Sequence, residues 1–344
     1  MSMFNYFLDK NSLLDTSASS DVIISTKVQL QRNSAEAPFT SAALRSELQV
    51  IKDSANKFYN DYFSIKDCEF IFADNISHDD RLLIKERFYH RDDYAFSENS
   101  CYIFNKRLRY EIAVNETEHF TIKSFSYGKG VEAAYKIADN LDDKLNKFCP
   151  YAFSEKFGYL TSEISGCGTA LKIEVVCHLP FISLSGNMTD LKKLFYESDM
   201  SLKPVFSEKN KSAFYKISNI KTIGSSECEI IETFDDFITL AENMETNERE
   251  ILFEKDKSII EDLIFRSFGI LKFSRTMGYY EALEHLSRLR WGVILFLIKD
   301  ISLEKIYLLM INIQTVHLGR LLDKKFDNLE EIEFARSEYL RNNL

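Results

Sequence analysis

The sequence is poor in proline and glycine, with only 4 and 11 of them among 344 residues. That scarcity excludes collagen-like and most low-complexity chains. The 6 cysteines form no C-x-x-C pair, so zinc knuckles and thioredoxin-type motifs are excluded, and we interpret the cysteines as buried reduced thiols. The longest apolar run, Trp291–Ile298, is far shorter than the roughly 20 residues that span a membrane. No signal peptide is visible in the first ten residues, so we expect a cytoplasmic protein without a membrane partner.

The composition favours a folded protein with an acidic surface. Hydrophobic residues make up 45% of the chain, which is enough to fill a sizeable core, and the length suits two domains. The formal net charge is -10. Nucleic-acid-binding domains usually carry an excess of lysine and arginine, so we expect no nucleic-acid partner.

Apolar and polar residues alternate in several segments of the first 250 residues. Residues 22–31 alternate throughout, which predicts a half-buried strand with one polar face. Residues 108–114 and 120–125 alternate on either side of the polar turn Asn115–His119, which indicates a β-hairpin with acids at its tip. Residues 169–178 alternate again, and 215–217 are predicted to be extended.

Helical periodicity fills much of the remaining chain. It predicts helices at residues 3–14, 41–63, 78–91, 131–148, 188–197 and 227–250. Beyond residue 250 the strand patterns stop, and apolar residues recur at three- and four-residue steps. We therefore predict an α+β domain at 1–250 and an all-helical domain at 251–344.

Several motifs occur in the order and at the spacings of one known family. Asp21–Asn33 reads D-V-I-I-S-T-K-V-Q-L-Q-R-N and is similar to D-I-V-I-S-S-R-I-R-L-A-R-N. Asn115–His119 is similar to N-E-E-D-H, and Phe157–Ser162 matches F-G-Y-L-T-S. Arg266–Leu271 is similar to R-S-Y-G-I-L. Taken together the motifs resemble the ATP:guanido phosphotransferases and, among them, the bacterial protein arginine kinases.

The resemblance implies a fold, a reaction and a set of partners. The fold would be a saddle-like antiparallel sheet flanked by helices, followed by a helical dimerisation domain. The reaction would move the γ-phosphoryl group of ATP, bound with Mg, to an arginine guanidinium. The partners would be a zinc-binding activator protein and a Clp ATPase, and the chain would form a homodimer.

The nucleotide-binding positions of that family have mostly changed. Phosphoryl transfer spreads negative charge over phosphate oxygens, so fixed cations must surround it, and arginine suits this because its planar fork is always charged. The resemblance puts the family's arginines at Lys27, Gln29, Thr121, Lys172 and Lys203. It also places Ser25 and Glu208 in the nucleotide-binding set. We expect the three lysines either to attract phosphates weakly or to be solvated surface charges, and to leave positive charge at the site.

The positions that face the guanidinium have changed as well. The main acid falls on Thr117, a second acid on Lys211, and the reactive cysteine on Glu163, while Glu116 is retained. These four are the candidate catalytic positions. The family's phosphoarginine-binding motif R-D-x-x-R-A falls on residues 332–337, which makes Glu333 and Arg336 the candidate ligands there. We predict no metal-ligating cluster.

Three hypotheses follow from these changes. Loss of one preorganised donor costs about 10²- to 10³-fold in rate, so the first hypothesis is a pseudokinase that acts as an adaptor or regulator. The second is a divergent active kinase in which Glu116, Glu118 or Glu163 replaces the missing base. The third is a sensor of nucleotide or phosphoarginine. We further expect His119 to support the hairpin, and His178 and Cys167 to be structural.

Overall fold

The computed structural model describes residues 4–9, 20–87, 94–206 and 210–344. Eight of its strands form one antiparallel sheet and two form a small hairpin. The strands are β1 (Ile23–Arg32), β2 (Cys68–Phe72), β3 (Cys101–Asn105), β4 (Tyr110–Val114), β5 (Phe120–Tyr127), β6 (Phe153–Ser154), β7 (Gly158–Tyr159), β8 (Leu171–His178), β9 (Met200–Pro204) and β10 (Phe214–Asn219). The order in the large sheet is β2-β3-β4-β5-β1-β8-β10-β9, so β1 lies near its centre.

Eleven α-helices lie within the described residues. They are α1 (Arg45–Tyr62), α2 (His78–Arg87), α3 (Val131–Leu145), α4 (Pro180–Ser185), α5 (Met188–Glu197), α6 (Glu227–Lys255), α7 (Lys257–Phe273), α8 (Tyr279–Ile294), α9 (Leu303–Asn312), α10 (Thr315–Leu322) and α11 (Leu329–Asn343). Short 3-10 helices occupy Asn5–Leu8, Ala73–Asn75 and Ile164–Gly166. None of the described helices combines the length and the apolar character that crossing a membrane requires.

One face of the sheet is apolar because every second residue of its strands is hydrophobic. Val28, Leu30, Ile173 and Val175 lie on this face and are fully buried. Side chains from α1, α3 and α6 complete this core, among them Phe58, Leu141 and Phe234. Burial of this apolar area is the main force that holds these helices on the sheet.

Of the residues that the structure describes, two clusters cover the opposite face, one at each end. The helical domain covers one end, where Ile24, Val176 and Phe214 pack in one cluster with Leu283 and Leu286 of α8. A smaller cluster around Phe4 and Phe104, which includes the amino-terminal 3-10 helix and α2, covers the other end. A polar cleft lies between the two, on the central strands.

The structure confirms the main sequence predictions for the sheet. The predicted strand 22–31 is β1, and the predicted hairpin is the antiparallel pair β4 and β5. The polar side chains of β1 are mostly buried, however, and not half-exposed; Lys27, for example, pairs with Glu174 of the neighbouring strand. The predicted helix 3–14 is a 3-10 helix of four residues, and its continuation from residue 10 lies outside the described residues. The sequence patterns missed β2, β3 and β9, which are only five residues long.

The helical domain begins after one long helix. α6 continues through the predicted boundary near 250 and ends at Lys255. The two parts of the chain are joined by buried polar contacts as well as apolar ones. His178 of β8 hydrogen-bonds through Nε2 to the Ser287 hydroxyl of α8 at 2.7 Å. This contact confirms the structural role predicted for His178.

Candidate functional site

The polar cleft on the sheet has a volume of about 520 Å³. Its wall contains six of the residues that the sequence singled out as nucleotide-binding or catalytic positions: Gln29, Glu116, Thr117, Thr121, Glu163 and Lys172. β1, β5 and β8 supply the floor, and the turn between β4 and β5 supplies one side. The sheet therefore brings together residues that are up to about 140 positions apart in the sequence.

Lys27 does not reach the cleft as a phosphate ligand would. Its side chain is fully buried, and its Nζ lies 2.5 Å from Oε2 of Glu174. The two residues are directly opposite each other on the neighbouring strands β1 and β8, where side chains lie close enough to pair. Lys27 is thus neither a solvated surface charge nor a cation that is available to a phosphate. Both predictions made for Lys27 from the sequence are therefore wrong.

Glu174 also pairs with two further lysines. Its Oε1 lies 3.3 Å from Nζ of Lys172 and 3.2 Å from Nζ of Lys216. Both lysine side chains are partly exposed, whereas the Glu174 side chain is 2% exposed. A single buried carboxylate therefore takes the place that an external anion would have among these three cations.

A second internal ion pair lies at the other side of the cleft. Nζ of Lys123 is 3.1 Å from Oε1 of Glu111, and both side chains are nearly fully buried. The same ammonium lies 4.0 Å from the centroid of the Tyr94 ring, a cation–π distance. The Tyr94 hydroxyl donates to both oxygens of Glu111 at 2.7 Å. Lys123 is therefore neutralised within the fold as well.

Glu116 is held by the protein backbone. Its oxygens accept hydrogen bonds from the N–H groups of Ala95 at 2.8 Å and Phe96 at 2.9 Å, and from the Tyr102 hydroxyl. Burial, and then the neighbouring Glu116 charge, raise the pKa of Tyr102. These bonds use three of the roughly four acceptor sites of Glu116, which leaves little capacity to orient a guanidinium. Thr117, beside it, is exposed and has no acidic group.

The rest of the hairpin tip is also fixed by hydrogen bonds. Glu118 is buried and accepts from the Asn33 amide at 2.5 Å and from the Ser162 hydroxyl at 2.8 Å. Nδ1 of His119 accepts from the Ser34 N–H at 3.0 Å, and burial lowers the pKa of His119. The imidazole is therefore neutral near pH 7 and supports the hairpin, as the sequence predicted.

Three predicted positions lie outside the cleft wall, and a fourth is not among the described residues. Ser25 lies toward the helical domain, opposite Val176 and Tyr127, and is not part of the cleft wall. Lys203 is exposed on β9, the edge strand. Lys211 is exposed, and its N–H donates to Glu284 of α8 at 3.0 Å. Glu208 lies outside the described residues.

The carboxy-terminal motif is structural in this chain. Arg336 is buried and donates through Nε to the Ile313 carbonyl at 2.9 Å and through Nη1 to the Met277 carbonyl at 3.0 Å. Burial lowers the pKa of Arg336. The backbone carbonyl of Glu333 accepts from the Met277 N–H at 3.2 Å. The Arg336 guanidinium thus ties α11 to two loops instead of facing an open site.

The acids and cations that decide the electrostatics of the cleft were missed by the sequence analysis. Glu111, Lys123 and Glu174 all stand at polar positions of alternating strands, which was the only available signal. Their pairing depends on strand register, which alternation does not reveal. Among the residues that the structure describes, no group of three or more histidine, cysteine, aspartate or glutamate side chains could hold a metal ion.

Solved structures define the class of this fold. The crystal structure of lombricine kinase superposes with a TM-score of 0.58 at 16% identity, covering 70% of this chain and 70% of that chain. The duplicated taurocyamine kinase from Schistosoma mansoni, solved with bound transition-state-analogue components, superposes with a TM-score of 0.60 at 19% identity. That match covers 75% of this chain and 39% of that chain. The chain therefore has the guanidino-kinase fold.

Sequence comparisons identify the family to which the chain belongs within this class of fold. The family "ATP:guanido phosphotransferase, C-terminal catalytic domain" matches residues 49–250, and the "Protein-arginine kinase McsB C-terminal domain" matches residues 257–344. The protein-arginine kinase of Clostridium acetobutylicum is 30% identical over 97% of this chain and 99% of that protein. That of Clostridium perfringens is 34% identical over 72% of this chain and 74% of that protein. The chain belongs to the protein-arginine kinase family of ATP:guanido phosphotransferases.

Proposed function

We propose that this chain is a non-catalytic member of its family, a pseudokinase that acts as an adaptor or regulator in Clp-dependent protein quality control. The observation that supports this most strongly is that lysines in and around the cleft pair with carboxylates of the sheet. Lys27, Lys172 and Lys216 converge on Glu174, and Lys123 pairs with Glu111.

Triphosphate binding would have to compete with a carboxylate that is already in place. Glu174 is covalently part of the sheet, so it faces Lys27 without losing the translational freedom that a bound nucleotide loses. A phosphate that approached Lys172 would also meet the negative charge of Glu174 itself. We therefore expect ATP and its Mg to bind weakly or not at all, because the described residues of the cleft do not form a cation cage.

The side that would receive an arginine is equally altered. Thr117 cannot orient a guanidinium by charge, and Glu116 already accepts two backbone hydrogen bonds. Lys211, at the second acid position, is bonded through its N–H to α8 and lies outside the cleft wall. The changes at the phosphate-binding positions and at the arginine-binding positions together favour a role without phosphoryl transfer.

A family member that transfers no phosphoryl group would act by binding partner proteins. In keeping with its family resemblance, we propose a homodimer that engages a zinc-binding activator protein and a Clp ATPase. The helical domain supports an interface role because it exposes large apolar side chains, among them Phe265, Phe273 and Phe296. Exposed apolar side chains of this size often mark protein–protein contacts.

Calorimetry and a transfer assay together test the loss of catalysis. We expect Mg-ATP to give no saturable heat, and labelled γ-phosphate to remain off protein arginines. The Clostridium acetobutylicum relative, assayed in parallel, serves as the control for working reagents. Transfer at a rate comparable with that relative would contradict the proposal.

A divergent active kinase is the second candidate, and the open cleft of about 520 Å³ favours it. Its wall contains Glu116, and also Glu163, which is exposed and could serve as a base. If any transfer is detected, Glu116→Gln combined with Glu163→Gln should abolish it. Unchanged turnover in this double variant would reject these two residues as the catalytic base.

A further inference from the structure

A second cleft, of about 430 Å³, lies beyond the carboxyl end of β1. The β6–β7 hairpin forms one wall, α3 forms another, and the first turn of α6 with the loop before it closes the third. It shares no lining residue with the cleft on the sheet. A ligand bound here would therefore leave the lining of the cleft on the sheet free.

The second cleft is strongly acidic. Its lining contains five carboxylates and two cations. The carboxylates are Asp139, Asp142, Asp143, Glu227 and Glu229, and the cations are Arg32 and Lys156. Charge complementarity therefore favours a positively charged ligand.

The floor of this cleft already holds one guanidinium, that of Arg32. Nη2 of Arg32 lies 2.8 Å from Oδ2 of Asp142 and 3.6 Å from Oε1 of Glu227. Its guanidinium carbon lies 3.6 Å from the centroid of the Tyr159 ring. The combination of carboxylates with an aromatic face is thus shown by the chain itself to fit a planar organic cation.

One carboxylate oxygen under the cleft is left without a partner. Asp142 is 6% exposed, and its Oδ1 accepts no hydrogen bond from any residue that the structure describes. Its other oxygen, Oδ2, is bonded to Arg32. A buried polar atom in this state has acceptor capacity that a donor entering the cleft would satisfy.

Two aromatic rings stand exposed at the rim. Phe153 is 60% exposed and Phe157 is 46% exposed, which is unusual for phenylalanine. Both contribute to the cleft lining, as does the exposed Asp143. Nζ of Lys156 lies 5.1 Å from the centroid of the Phe157 ring, so a ring of the rim already faces one cation of the chain itself.

We infer that this second cleft binds an arginine or lysine side chain from an extended basic segment of a partner protein. A metal ion is the less suitable occupant, because the described carboxylates form no cluster with metal-ligand geometry. An arginine guanidinium needs no such cluster, since its charge is delocalised over several donors, and a lysine ammonium can pair with a single carboxylate.

Isothermal titration calorimetry of the full chain tests this inference. The probe is the end-blocked peptide Gly-Arg-Gly-Arg-Gly, compared with Gly-Glu-Gly-Glu-Gly. The test variant combines Asp143→Asn with Phe157→Ala, both at the exposed rim, and leaves the buried Asp142 and Arg32 intact. Asp61→Asn, an exposed acid on α1, is the control with the same charge change as Asp143→Asn.

The arginine peptide should bind the natural chain, and its Kd should rise about tenfold or more in the rim variant, a loss of about 1.4 kcal/mol. The control variant should bind as the natural chain does, and raised salt should weaken binding. Absence of binding, equal binding in the rim variant, or equal binding of the glutamate peptide would overturn the inference. Tighter binding of spermidine than of the peptide would overturn the assignment to a protein segment. Thermal unfolding of the rim variant should match that of the control, which shows that lost binding is not lost folding.

Discussion

At the scale of single residues, a buried carboxylate surrounded by lysines organises the polar face of the sheet. Glu174 is 2% exposed and lies within 3.3 Å of three ammonium groups. A buried ion pair costs desolvation free energy on both sides, and its attraction offsets that cost only when the geometry is close. Removing one member leaves the other charge buried and unpaired, which is the more damaging change.

Glu174→Gln should therefore lower the free energy of unfolding by about 3–5 kcal/mol, measured by urea denaturation. The physical reason is that Lys27 would keep its burial and lose its counter-charge. Glu197→Gln is the matched control, because Glu197 pairs with Lys193 on the exposed surface of α5. That change should cost about 0.5 kcal/mol or less.

A double variant distinguishes the cost of an unpaired buried charge from the effect of altered side-chain packing. Lys27→Met combined with Glu174→Leu should be more stable than Glu174→Gln alone, because no buried charge is then left unpaired. If Glu174→Gln unfolds at the same urea concentration as Glu197→Gln, Glu174 is not the internal counter-ion of the sheet.

At the scale of elements, two glycines let the β6–β7 hairpin approach the loop before α6. Gly158 has φ +72°, and a Cβ there would lie 2.4 Å from the carbonyl oxygen of Gly168. Gly168 has φ +109°, and a Cβ there would lie 2.2 Å from the carbonyl oxygen of Thr222. Both positions combine a left-handed backbone with contact to main chain that cannot give way, so only glycine fits. This close approach places the hairpin where it forms one wall of the second cleft.

The junction of α4 and α6 depends on one buried acid. Oxygens of Glu245 on α6 accept the N–H groups of Phe181 at 2.9 Å and Ile182 at 3.0 Å, in the first turn of α4. Burial raises the pKa of Glu245 from an ordinary value of 4.5 to about 8, and the two hydrogen bonds only partly oppose it. Near pH 7 the folded chain therefore keeps a proton on Glu245 that the unfolded chain has released.

This difference predicts a pH dependence of stability. Between about pH 4.5 and 8 the folded state binds one proton more than the unfolded state, so the free energy of unfolding falls as the pH rises through this range. The stability that the protonated Glu245 contributes is complete below pH 4.5 and is lost as the pH rises through 8. Its slope is at most about 1.4 kcal/mol per pH unit. Glu245→Gln should remove this slope from the free energy of unfolding measured by urea denaturation between pH 5 and 8.

Glu250→Gln, an exposed change on the same helix, should leave the slope as in the natural chain. Identical pH profiles for the natural chain and the Glu245 variant would show that Glu245 is ionised in the folded state.

At the scale of the whole molecule, the amino-terminal part is tied to the helical domain through α2 and α10. The Glu86 carboxylate accepts the N–H groups of Val316 at 3.1 Å and His317 at 3.0 Å, at the start of α10. It also contacts Nδ1 of His317 at 3.0 Å. Arg320 and Asp80 add an ion pair at 2.8 Å beside it. A carboxylate at a helix amino terminus stabilises that helix by capping and by the helix dipole.

Glu86→Gln should weaken this junction by about 1–2 kcal/mol, since a charged acceptor of two backbone N–H groups becomes neutral. Hydrogen exchange of the α10 amides should become faster by a factor that matches this loss. Glu98→Gln, at an exposed pair with Arg45, should leave exchange in α10 unchanged. Unchanged exchange in the Glu86 variant would show that apolar packing alone holds the two parts together.

Much of the architecture was predictable from local patterns. The alternation in residues 22–31, 108–114 and 120–125 predicted β1, β4 and β5, and the polar turn Asn115–His119 predicted that β4 and β5 form a hairpin. β2 and β3 were missed because their runs C-E-F-I-F and C-Y-I-F-N are nearly continuously apolar and show no clear period of two. β9 was missed because its run M-S-L-K-P is short and ends in proline, which argues against a strand interior. The motifs of the catalytic domain and of α7 predicted the family, which the comparisons confirm.

The chemistry of the site was less predictable, and the reason lies in strand register. The amino-acid order, through its resemblance to the family, predicted that Lys27, Gln29 and Thr117 stand at positions where the family has arginines or an acid. It also left three lysines that were expected to give the site positive charge. Only the folded sheet decided that Glu174 stands opposite Lys27 and that Glu111 stands opposite Lys123. Side-chain identity is a local property, whereas the pairing of charges depends on which strands are neighbours and in which register, and tertiary packing sets both.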